Sequence, residues 1–87
     1  MNNDRLLIER IGRHDKEALQ QLYDQYILHL CSIINRTTTN LDQTEEIIKE
    51  VFQTVWNKKD LFEGKKHISA TLTQLCLKVI QSKDTPA

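Results

Sequence analysis

Between Thr44 and Trp56, apolar side chains fall at positions 47, 48, 51, 52, 55 and 56, the spacing of a helix that buries one face. Glu45, Glu46, Lys49 and Glu50 share the opposite face and Gln53 extends it, so this helix is expected to present a polar, mostly acidic surface. A second periodic stretch runs from about Lys16 to Arg36. Its broad stripe of Leu19, Leu22, Tyr23, Tyr26, Ile27, Leu30, Cys31, Ile33 and Ile34 suits a central helix. Two shorter helices are expected over Asp4 to Ile11, with Leu6, Leu7, Ile8 and Ile11 apolar, and over Ile68 to Ser82, with Leu72, Leu75, Cys76 and Val79 on one face.

The punctuation between these stretches fits the same division. Asn3 or Asp4 can cap the first helix, Gly12 can end it in a left-handed conformation, and Asp15 can cap the second. The run Thr37-Thr38-Thr39-Asn40 disfavours helix. Asp42 then reads as the start of the third helix, with Glu45 as its capping-box partner, and that helix is expected to reach about Lys59. The segment Leu61 to His67 is a short connection carrying Gly64, and residues 83–87 read as a frayed tail. The expected fold is all-α, a compact bundle of about four helices in one domain, with residues 4–82 as its core.

Composition adds a few exclusions. Eighty-seven residues make one domain, and two glycines with a single proline leave little turn chemistry for a β-rich fold. No apolar run approaches the ~20 residues of a membrane span, and no signal-peptide core follows Met1, so a cytoplasmic location is expected. Twelve basic residues balance twelve acidic ones, which argues against nucleic-acid binding by bulk charge. The charge is unevenly spread. Residues 42–60 carry five acidic and three basic side chains, whereas residues 61–87 carry four lysines against two acids.

Candidate chemistry is sparse. There is no Gly-rich phosphate loop, no His-x-x-x-His pair and no nucleophile with motif context, so neither an enzyme nor a cofactor is expected. Paired carboxylates on an exposed helix face, as at Glu45, Glu46 and Glu50, are more readily contacts for a partner than catalytic groups. His14, His29 and His67 lack ligand spacing with one another or with Cys31 and Cys76, so no metal site is expected. The two cysteines sit within apolar helical patterns and read as reduced, buried thiols.

The stretch from 44 to 56 resembles a segment of bacterial RNA polymerase sigma factors of the extracytoplasmic-function group. The family form is Ala-Glu-Asp, two apolar residues, Gln-Glu-Val-Phe, two variable residues, an apolar one and Trp. Glu45, Ile47, Ile48, Glu50, Val51, Phe52, Val55 and Trp56 match it, and Glu46 replaces Asp, while Thr44 and Lys49 stand for Ala and Gln. Upstream, Asp15, Ala18, Leu19, Leu22, Tyr23 and Tyr26 reproduce the family's Gly-Asp, Ala and Leu-Tyr-x-x-Tyr order, with His14 where Gly is common. The resemblance covers most of residues 4–82 and corresponds to the second conserved region of such a factor.

The resemblance implies docking on the clamp-helix coiled coil of the polymerase β′ subunit through Glu46, Lys49, Glu50 and Gln53. It also implies a share in engaging promoter −10 DNA. For that task Lys65, Lys66, His67, Lys78 and Lys83 are the candidate cations and Phe62 the candidate stacking ring. Thr71-Leu72 stands where the family often has Trp-Leu, Lys78 stands near a family Asn, and no arginine follows Arg36. These departures support an alternative on the same fold: an adaptor that has lost promoter recognition, pairing with a separate promoter-reading subunit or binding a regulator such as an anti-sigma factor. A third expectation is self-association through exposed Leu61 and Leu77. The family's second helical domain has no counterpart in residues 1–87, which fits either a piece of a longer protein or a stand-alone domain.

Overall fold

The periodic stretches form four α-helices in the computed structural model, which describes residues 4–58, 60–64 and 67–84, Asp84 by its backbone only. They are α1 (Asp4–Gly12), α2 (Lys16–Ile34), α3 (Leu41–Asn57) and α4 (Ile68–Asp84), with no strand among the described residues. α2 is central: α1, α3 and α4 all pack on it, and α3 also packs on α4. The core is continuous through all four, from Leu7 and Ile11 through Leu22, Leu30 and Ile34 to Val51, Phe52, Leu72 and Cys76. Ala18, Leu22, Leu30 and Ile34 lie on one stripe of α2 and are fully buried, so truncating any of the three large ones opens a cavity. Among the described residues no helix is long and apolar enough to cross a membrane.

The first corner differs from the sequence expectation. Gly12 stays helical, and His14 takes the left-handed conformation with φ 62°. The N–H of Asp15 reaches the Arg10 carbonyl and that of His14 reaches the Ile11 carbonyl, at 3.0 and 2.9 Å, which is a Schellman ending. Where such endings commonly add an apolar contact, this one has an ion pair: Arg10 Nε donates to Asp15 Oδ2 at 2.8 Å. The hydrogen bond from Arg10, aided by two backbone donors, holds the Asp15 carboxyl below the usual range. Its other oxygen caps α2 as expected, accepting from the N–H groups of Glu17 and Ala18. One side chain therefore fixes the angle between α1 and α2. His14 then rests edge-on against Trp56, ring centroids 5.0 Å apart, tying this corner to α3.

The start of α3 also moves. Its N-cap is Asn40, whose side chain accepts from the Gln43 N–H at 3.1 Å, and Asp42 lies within the first turn. Thr38 supports the cap by accepting from the Asn40 N–H at 3.1 Å and donating to Gln43 Oε1 at 2.8 Å. The Asp42–Glu45 capping box is thus superseded by the residue two places earlier. At the far end, α4 continues through Asp84, so Lys83 belongs to its last turn and not to a tail; residues 85–87 lie outside the described residues, as does Lys59. Leu61 packs against the core and Leu77 is 43 % exposed, so only the latter offers the exposed apolar surface expected of the pair.

Two protonated groups make the fold sensitive to alkali. Burial pushes the Cys76 thiol up to about 11, with Cys31 adding to it; both thiols are free. Burial, with the Asp4 carboxylate beside it, pushes the Tyr26 hydroxyl up to about 12. The folded chain keeps these protons to higher pH than the unfolded chain, whose values lie near 9.0 and 10.0. Their contribution to stability is full below about pH 9 and is lost as pH rises toward about 12. Urea midpoints measured on either side of about pH 9 should fall on the alkaline side, and Tyr26→Phe should remove the upper part of that fall. A midpoint level across this window contradicts the assignment.

Candidate docking surface

On α3 the residues Glu46, Lys49, Glu50 and Gln53 recur at i, i+3, i+4 and i+7, which sets them in one exposed stripe on a helix of 17 residues. The opposite face buries Ile47, Ile48, Val51, Phe52 and Val55, so the stripe is carried by a helix pinned to the core. Asp42, Glu45, Glu46 and Lys49 line a shallow acidic concavity near its N-terminal end. Acids in the first turns also suit the positive end of the helix dipole.

The stripe is bordered by two unlike neighbours. On the α4 side stands Lys83, its Nζ 4.0 Å from Glu46 Oε2 and 3.9 Å from Glu50 Oε2. The carboxylates keep 68 % and 48 % of their side-chain surface exposed, so these pairs are weak and a partner cation can replace Lys83. On the α2 side lies an open groove of about 730 Å³. From α2 come Lys16, Leu19, Gln20 and Tyr23; from α3 come Lys49, Phe52, Gln53, Trp56 and Asn57. Phe52 and Tyr23 meet in its floor, ring centroids 5.1 Å apart.

Of the residues proposed for DNA, the structure brings few together. Phe62 is buried at 6 % exposure in the join between α1 and α3, lining a small crevice with Ile8, Ile11, Val55 and Trp56. The stacking role proposed for it is therefore corrected: a ring packed into the core has no free face for a base. Lys83 faces the α3 carboxylates. His67, which precedes α4, and Lys78, within it, are both exposed. Lys65 and Lys66 lie outside the described residues.

The chain matches no protein-family model, no curated protein and no solved structure. What its surface does must be argued from its own residues. The apolar groove is the feature that the sequence reading did not single out. Its signal is present nonetheless: Lys-x-x-Leu-Gln-x-x-Tyr at 16–23 recurs as Lys-x-x-Phe-Gln-x-x-Trp at 49–56. The periodicity places Tyr23, Phe52 and Trp56 on the apolar faces of their helices, yet Tyr23 and Trp56 are only half-buried and turn part of their rings into the groove.

Proposed function

We propose that this domain is a transcription-initiation module, similar to the second conserved region of an extracytoplasmic-function sigma factor, that docks on the clamp helices of the RNA polymerase β′ subunit through Glu46, Lys49, Glu50 and Gln53. The observation that carries the reading is the exposed i, i+3, i+4, i+7 stripe on a core-anchored helix, its two carboxylates in long pairs with Lys83. Carboxylates fixed on a rigid helix can take arginines of a partner helix in directed, charge-assisted hydrogen bonds, which set orientation and specificity. Such a module works in the cytoplasm, beside the polymerase core, and needs no catalysis or cofactor of its own. Its share in −10 DNA engagement falls to the candidate cations Lys65, Lys66, His67 and Lys78.

A second reading, the adaptor that has lost promoter recognition, is favoured by the burial of Phe62 and by the turn of Lys83 toward α3. One titration series separates the two. The domain is titrated against a purified β′ clamp-helix fragment, then against a labelled −10 non-template single strand in the presence of the fragment. Saturable binding to both, the second weakening with salt, supports the initiation module. Fragment binding without strand binding supports the adaptor. No fragment binding overturns both.

A further inference from the structure

The groove between α2 and α3 carries more than its overlap with the docking stripe explains. Its two walls are copies of one pattern, a lysine, an apolar residue with a glutamine beside it, and an aromatic ring one turn on. The helices run antiparallel there, since Tyr23 pairs with Phe52 while the earlier His14 pairs with the later Trp56. Lys16 therefore stands at the Trp56 end on one wall, and Lys49 at the Tyr23 end on the other. Leu19, Tyr23, Phe52 and Trp56 form an apolar floor between these diagonal cations, and no carboxylate of the described residues lines the groove. The other side of the α2–α3 pair is occupied by α4, which packs on both helices.

We propose that this groove seats an amphipathic helix of a partner protein, with acidic residues at both ends of its apolar stripe. Each wall runs eight residues, about 10 Å or two helical turns, which fits apolar anchors at i, i+3 or i+4 and i+7. Ridges at this spacing accept a third helix in the way the opposite side accepts α4. The charge fixes the occupant's chemistry: two carboxylates about seven residues apart, on opposite flanks of the stripe, meet Lys16 and Lys49. Gln20 and Gln53 offer amides along the rim. The proposal shares Lys49 and Gln53 with the polymerase stripe but does not use Glu46 or Glu50, and Lys16 lies outside that stripe, so a Lys16 variant lets the two readings fail separately.

The chain's single tryptophan, Trp56, sits in the groove and reports on its occupancy. The probe is a synthetic helical peptide of about four turns, with Leu and Phe at the anchor positions and glutamates at both flanks; the control carries lysines there instead. The glutamate peptide is expected to give a saturable blue shift of Trp56 emission, and the lysine peptide a much weaker one. Lys16→Glu is expected to weaken the glutamate peptide on the order of tenfold and to strengthen the lysine peptide. Lys16 is exposed, and an unchanged helical dichroism spectrum verifies that the variant folds. Equal binding of the two peptides, no saturable shift, or a Trp56 shift that follows protein concentration alone, marking a second copy in the groove, overturns the proposal.

Discussion

Asp4→Ala is expected to lower the unfolding free energy by about 2–4 kcal/mol, a fall of roughly 10–25 °C in Tm for a domain of this size. Asp4 opens α1 and is only 2 % exposed. Its carboxylate accepts from Gln25 Nε2 at 2.6 Å and from the Tyr26 hydroxyl, both on α2. No buried side-chain nitrogen or oxygen of the described residues lacks a partner, so this carboxylate is satisfied. Alanine removes the acceptor that the half-buried Tyr26 hydroxyl and the exposed Gln25 share. It also removes a negative charge from the first turn of α1, where the helix dipole favours one.

The origin of that loss can be separated from simple packing. Tyr26→Phe alone should cost less, about 1–2 kcal/mol, because the carboxylate retains Gln25. The double variant Asp4→Ala with Tyr26→Phe should cost clearly less than the sum, since neither partner is then left unpaired. Thermal and urea unfolding of the four proteins complete the cycle. Additive costs would mean that the two side chains act independently and that the hydrogen bond is not what holds α1 to α2.

Asp4 also illustrates what was legible beforehand. Burial on one face is a local, periodic signal, and it located all four helices. Lys16 and Ile68 begin α2 and α4 where the pattern places them. The ends depend on competition between near neighbours, and there the reading erred. Gly12 is the residue with the freedom to turn left-handed, but the ion pair of Arg10 with Asp15 places the turn two residues later, at His14. Asn40, read as part of a helix-breaking run, caps α3 because Thr38 braces its turn. Asp4 passes in sequence for a cap or first-turn acid, since its partners lie 21 and 22 residues away.

The candidate site divides along the same line. The stripe of Glu46, Lys49, Glu50 and Gln53 was legible because all four lie on one helix, where spacing alone settles which residues share a face. Phe62 was misjudged because it lies in a connection, where no periodicity tells inside from outside. Lys83 was assigned to DNA by its sign, while its position at the end of α4 brings it beside carboxylates 33 and 37 residues earlier in the chain. The groove needed two helices side by side. Each wall was on the page, but only the antiparallel packing of α2 on α3 turns two repeats of one pattern into a single concave surface.

Glu46→Arg with Glu50→Arg is expected to weaken binding to the β′ clamp-helix fragment by about 100-fold or more, with helicity unchanged. Two carboxylates that pair with partner arginines become two cations facing them, so attraction is lost and repulsion is added at adjacent turns. The same change sets two arginines against Lys83, which stands 4.0 and 3.9 Å from the replaced carboxylates. That local repulsion is small, since exposed pairs of this kind contribute only about 0–1 kcal/mol, and a long lysine can swing into solvent. Adding Lys83→Glu removes it, and it restores the fold's own pairing without restoring the carboxylates that the partner needs. If the triple variant regains stability but not binding, the loss lies in the contact with polymerase. If it regains binding as well, the double change acted through the α3–α4 join, and the stripe is not the docking surface. Lys16→Glu, on the far wall of the groove, should leave binding to the fragment within about twofold of the unaltered domain, because its charge lies beyond the stripe and salt screens it over about 10 Å.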